Sequence, residues 1–156
     1  MSPTEWTVLY WDASGILSTL FTDERTETAL RWARTEGQHL LSSLAHAEVC
    51  AVISRMHREG VLGEDDAEAA RTMLEQGPWR RTTASPEWET VPRLSTEWPL
   101  RGADLWHLAT AKGLQERLPE LQLVTFDARL HRAARGAGLS HRPEEGSAEL
   151  SGTEDA

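Results

Sequence analysis

Three short runs rich in β-branched, aromatic or leucine side chains, WTVLYW at 6–11, HLLSS at 39–43 and LQLVTF at 121–126, alternate with longer segments of helical period. Strands separated by helices pair in parallel, because each crossover helix carries the chain back to the same end of the sheet. The alternation therefore predicts an α/β fold, a three-layer α/β/α sandwich with a mostly parallel central sheet. A weaker run, WRRTT at 79–83, adds a strand, and LSHRP at 139–143 is read as an edge strand.

Between the runs, apolar residues recur at helical spacing. Ile16, Leu17, Leu20 and Phe21 mark a first helix, and Ala29, Leu30 and Ala33 a second that follows Asp23 and stops at Gly37. Ala45, Val49, Val52, Ile53 and Met56 define a helix over 44–59, ended by Gly60. Glu64, Asp65 and Asp66 suit the N-terminus of another, which ends at Gly77 and Pro78. Ser85 and Pro86 form an N-cap and N1 pair for a helix that Pro92 limits. Ala103–Leu118 is a strong helix with Asp104, Leu108 and Ala111 on one side, and Leu130, Ala133, Ala134 and Ala137 trace a last one stopped by Gly136 and Gly138.

A chain of 156 residues fits one domain able to bury a core without metal or disulfide staples. The domain is expected over 1–143. Residues 144–156, with five acids, no base and little apolar area, are expected to form a disordered acidic tail. No apolar run is long enough to cross a bilayer, no signal-like segment opens the sequence, and the single cysteine, Cys50, reads as a small core residue. Together these features suggest a cytoplasmic protein with no membrane partner.

The net charge of −9 argues at first against a nucleic-acid partner. Setting aside the tail's five acids leaves −4, a balance equal to the charge of four acids placed where chemistry happens. Asp12 and Asp127 directly follow strands, and the crevice outside the carboxyl ends of parallel strands is where ligands bind. Glu48 stands beside the apolar stripe of its helix, a costly position for a free carboxylate. Asp104 opens its helix on the apolar side. Each has a structural alternative: Asp104 and Asp127 as N-caps, Asp12 as a turn residue, Glu48 as a partly buried ion-pair partner. Four acids at one rim repel unless protonated or bound to cations. Oxygen ligands without clustered His or Cys suit Mg²⁺ or Mn²⁺ rather than zinc.

WDAS at 11–14, AEV at 47–49, LRGADLWHLATA at 100–111 and TFDARL at 125–130, with spacings of 36, 56 and 23 between the acids, resemble the PIN domain family over roughly residues 7–142. Within it the pattern is similar to the VapC-type toxins of bacterial toxin–antitoxin pairs. The third segment is the most specific. The resemblance implies that Asp12, Glu48, Asp104 and Asp127 are the catalytic, metal-binding acids, with Ser14 and Thr125 as supporting hydroxyls. It implies Mg²⁺- or Mn²⁺-dependent hydrolysis of RNA to 3′-hydroxyl and 5′-phosphate ends, by water rather than a side-chain nucleophile. A cognate antitoxin is the implied partner, with Trp32 and the apolar side of its helix as candidate contacts, and a homodimer the implied assembly.

Between 128 and 143, Arg129, Arg132, Arg135, Arg142, His131 and His141 lie without an acid, a basic patch beside Asp127 that could grip RNA or be a solvated face. Arg101 could position a phosphate or pair with a site carboxylate. His107 reads as a packed or hydrogen-bonded histidine rather than a general base, and His46 likewise, for want of a partner. Of seven tryptophans some must be core, and any left exposed would mark an interface. A phosphatase of the strand-end Asp type expects a second Asp where Ser14 stands, and a receiver domain expects a strand-end lysine, whereas Lys112 lies inside a helix. The remaining alternative is a catalytically silent PIN-fold binding protein.

Overall fold

The computed structural model describes residues 7–140. The elements in order are β1 (Thr7–Trp11), α1 (Ala13–Leu20), α2 (Thr26–Ala33), β2 (Gly37–Ser42), α3 (Ser43–Arg58), α4 (Glu64–Gln76), β3 (Trp79–Thr82), α5 (Thr90–Glu97), α6 (Gly102–Gln115), β4 (Leu121–Val124) and α7 (Ala128–Gly136). All four strands are parallel, in the order β3-β2-β1-β4.

Side-chain alternation along β1 divides the protein into layers. Val8 and Tyr10 join Leu40, Leu94, Leu108, Leu123 and Leu130 in one core, under α5, α6 and α7. Leu9 and Trp11 point the other way, joining Ile16, Leu41, Val49, Ile53 and Leu74 under α1, α3 and α4. The three-layer sandwich follows, with every residue of β1 from Val8 onward buried. Among the described residues no helix is long and apolar enough to cross a membrane.

The fourth strand is shorter than its apolar run suggests, ending at Val124, so Thr125 and Phe126 form the loop that delivers Asp127 to the start of α7. Ser85 and Pro86 do not start a helix; they lie in an extended connection, and α5 begins at Thr90. Pro92 then falls in the first turn of α5, where the N–H that proline lacks has no intrahelical partner to lose. Leu139 and Ser140 are not in a strand, and the rest of the expected edge strand, like the acidic tail, lies outside the described residues.

Trp11 is fully buried, Trp79 stacks edge-on against it at 4.9 Å, and Trp32 packs partly against the same core. Trp88 is 90% exposed. Cys50 is half-buried beside His46. His46 has the partner that its sequence surroundings did not reveal: Glu75 of α4 lies 3.1 Å from its Nε2.

Candidate active site

β1 has β2 on one side and β4 on the other, so the chain leaves its carboxyl end at the point where the strand order diverges. Asp12 stands there. It takes extended backbone angles, caps α1 by accepting from the Gly15 N–H at 2.9 Å, and is only 4% exposed. Its carboxylate also accepts from Ser14 Oγ at 2.7 and 2.9 Å and from Thr125 Oγ1 at 2.5 Å. Burial pushes the Asp12 carboxyl above the usual carboxylate range, opposed by the hydrogen bonds from Thr125, Gly15 and Ser14.

Those two hydroxyls also fasten the neighbouring loop. Ser14 Oγ accepts from the Phe126 N–H at 2.9 Å, and Thr125 Oγ1 accepts from the Asp127 N–H at 3.1 Å. Asp127 caps α7 through the Leu130 N–H at 2.9 Å and is exposed to solvent. Asp12 and Asp127 are thus both helix N-caps, and the alternative of Asp12 as a simple turn residue gives way to a cap.

Asp104 is different. It is the third residue of α6, in a helix capped by no side chain, and half-buried. Burial raises its carboxyl above the usual range, and the charges of Asp127 and Glu48 push the same way against His107 and Arg101. Asp104 is therefore within electrostatic reach of two other acids, one from the end of β4 and one from α3. Glu48 accepts from a ring nitrogen of His107, whose Nε2 lies 2.8 Å from Oε1. The other ring nitrogen of His107 lies 2.7 Å from the Tyr10 hydroxyl, itself pushed up mainly by burial. The hydrogen-bonded reading of His107 is the one found.

The fold thus brings Asp104 within electrostatic reach of Asp127 and Glu48, while Asp12 is held by Ser14 and Thr125, the residues that also fasten the loop leading to Asp127. Among the described residues no three His, Cys, Asp or Glu side chains converge into a ready cage for a metal ion.

Arg101 is exposed, and its charge pulls the Asp104 carboxyl down. Arg129 and Arg132 are exposed on α7. The positive field extends further than expected: Arg25, before α2, lies over the Phe126 ring at 5.9 Å. With Arg135 it depresses His131, for which burial is the larger cause. Arg25 is about a hundred residues from Phe126 in sequence, and no local pattern links them. Tyr10 was also missed, although a buried phenol hydroxyl demands a polar partner and this one sits two residues before Asp12. His141 and Arg142 lie outside the described residues.

The raised carboxyls have a measurable consequence. A carboxyl raised in the folded chain adds stability below its ordinary value, 3.8 for Asp104, and loses it as pH climbs through the folded value. In EDTA, Asp104→Asn should therefore gain melting temperature relative to wild type as pH rises from 3.8 through the raised folded value. A difference that stays flat over that range would contradict the repulsion described.

A parallel sheet with carboxylates drawn to its C-terminal rim defines a class, the α/β proteins with an acidic crevice. Comparison with known proteins narrows it. The PIN domain family model matches residues 9–136, and the chain belongs to that family. No curated protein matches the sequence. Among solved structures, Mycobacterium tuberculosis VapC20, described as a sarcin–ricin loop cleaving toxin, is similar with a TM-score of 0.55 and 17% identity, covering 80% of this chain and 94% of that one. PAE2754 from Pyrobaculum aerophilum gives a TM-score of 0.56 and 17% identity, over 86% of this chain and 90% of its own. At that identity the likeness concerns the fold.

Proposed function

We propose that this chain is a Mg²⁺- or Mn²⁺-dependent endoribonuclease and the toxin member of a toxin–antitoxin pair. The observation that carries the reading is the electrostatics of Asp104. A half-buried acid is held up first by burial and then by the charges of Asp127 and Glu48, against His107 and Arg101, and has no ion pair of its own among the described residues. Such a group gains most from a bound cation.

In this reading Asp12, Glu48, Asp104 and Asp127 would hold the metal, and Ser14 and Thr125 keep Asp12 in place by donating to it. The bound ion would lower the pKa of a coordinated water and offset charge on the leaving oxygen. The chain's own part is to orient the acids, and the N-terminus of α6 adds a favourable dipole next to the anionic substrate. Arg101, Arg129 and Arg132 face the backbone phosphates, joined by Arg25 and Arg135. Replacing Arg129 and Arg132 together by Ala should weaken RNA binding and flatten its dependence on log salt by roughly 0.7 per lost phosphate contact. An unchanged slope would remove them from the interface.

The substrate class is RNA. VapC20 cleaves the sarcin–ricin loop, so total RNA with intact ribosomal RNA is the appropriate substrate. Cleavage with Mg²⁺ or Mn²⁺, abolished by EDTA and by Asp104→Asn, is the expected result, and cleavage that survives both controls would defeat the assignment. The silent-binder reading draws support from the partners already holding Asp12, Glu48 and Asp127. It would be favoured by intact RNA under every metal condition.

For the antitoxin, an apolar groove of about 140 Å³ between α1, α2 and α4, lined by Leu20, Leu30, Ala33, Met73 and Trp79, is the proposed seat of a partner helix. Leu30 and Ala33, rather than Trp32, present α2 to it. The homodimer belongs to the same proposal and is read from the mass of the purified chain in solution.

A further inference from the structure

We propose that His107 is a positioning residue that holds Glu48 at the acidic rim, with its ring oriented by the hydroxyl of Tyr10. The inference rests on the nuclease reading, because it assigns Glu48 a place among the working acids.

The ring of His107 is 1% exposed and packed on two sides, edge-on to Tyr10 at 5.7 Å and to Trp106 at 5.6 Å. Its rotation is fixed. Both nitrogens are engaged: Nε2 lies 2.8 Å from Glu48 Oε1 and Nδ1 lies 2.7 Å from the Tyr10 hydroxyl. A carboxylate only accepts, so the hydrogen on the Glu48 side belongs to Nε2. In a neutral imidazole Nδ1 is then the acceptor, and the phenol O–H donates to it. The alternative tautomer would set a ring lone pair against the Glu48 oxygen. Glu48 thus sets the tautomer, and the Tyr10 hydroxyl, able to donate to the Nδ1 left unprotonated, holds the ring in that orientation, as groups behind metal ligands do.

The chain of contacts links three layers of the fold. Tyr10 lies on β1, His107 on α6 and Glu48 on α3. Glu48 Oε1 is held, while Oε2 has no hydrogen-bond partner among the described residues, and the side chain is 33% exposed. One oxygen is anchored and the other left to act. Without the anchor Glu48 has freedom to turn into solvent, and the acids lose the arrangement that repels Asp104.

The test measures Mn²⁺ affinity by calorimetry on RNA-free protein, for wild type, His107→Leu, His107→Gln and Tyr10→Phe, each checked for folding by circular dichroism. His107→Leu should weaken binding about tenfold or more, and Tyr10→Phe severalfold. His107→Gln, which keeps an N–H within reach of Glu48, should restore most of the loss, a rescue that mere packing would not give. Long-range ¹H–¹⁵N spectra of the metal-free protein should show His107 protonated at Nε2 and unprotonated at Nδ1 in wild type. If His107→Leu does not fold, Tyr10→Phe carries the test. Wild type that binds Mn²⁺ with an affinity unmoved by these variants, or a ring protonated at Nδ1, overturns the inference alone. Wild type that binds no Mn²⁺ overturns it together with the metal-dependent reading.

Discussion

Asp104→Asn is expected to lower metal-dependent RNA cleavage by at least about a hundredfold, the upper end of what loss of an outer-layer group costs a metal site. The change is isosteric and deletes one charge. Asp104 caps nothing, so no helix end is undone. Its carboxyl is raised by burial and by the charges of Asp127 and Glu48, so the metal-free variant should melt no lower than wild type and higher at neutral pH. Metal should separate the two further. At a hundredfold excess over its dissociation constant, an ion bound only by the native state adds about 2.7 kcal/mol. For a chain of this size that is roughly 5–10 °C of melting temperature, a gain the variant should largely lack. A variant that cleaves at the wild-type rate, or whose lost activity tracks a lost fold, would remove Asp104 from the chemistry.

Gly37→Ala should be the most damaging single-atom addition to the fold. Gly37 opens β2 with φ at +141°, a region L side chains rarely adopt, and pairs with Thr7 of β1. A Cβ there would lie 1.9 Å from the Thr7 carbonyl oxygen, which is backbone and cannot swing away. Strain of about 1–3 kcal/mol adds to the displacement of β1, for a total of roughly 3 kcal/mol or more. The melting temperature should fall by about 6–12 °C. Gly60 is the control: its φ is +75° but nothing lies within 4 Å of an added Cβ, so Gly60→Ala carries strain without collision. Equal losses in the two variants would show that the approach of Thr7 is not what matters. The β1 register carries Tyr10 and Asp12, so metal affinity should fall along with stability in Gly37→Ala.

What the sequence made legible follows the range of the interactions. Strand and helix periods are local, and so are caps: Asp12 three residues before Gly15 and Asp127 three before Leu130 both emerge at strand ends, where a carboxylate is expected. The three-layer fold follows from alternation in a single strand, Val8 and Tyr10 against Leu9 and Trp11. The partners of Glu48, His107 and His46 were hidden because they lie 59, 97 and 29 residues away, across crossovers whose geometry no local pattern fixes. The failed start at Ser85 and Pro86 has the opposite cause. Good local capping chemistry was present, but the chain spans that stretch extended and folds into helix only from Thr90.

The hydroxyl lacing of Asp12 to Thr125 joins residues 113 apart in the chain. It can form only after β4 has paired with β1, and β4 begins at Leu121. A nascent chain still short of that strand has Asp12, Glu48 and Asp104 but no clasp to hold the first of them and no Asp127 beside the third. The clasp on Asp12 is thereby a late contact of folding, made only once the last strand has docked beside the first.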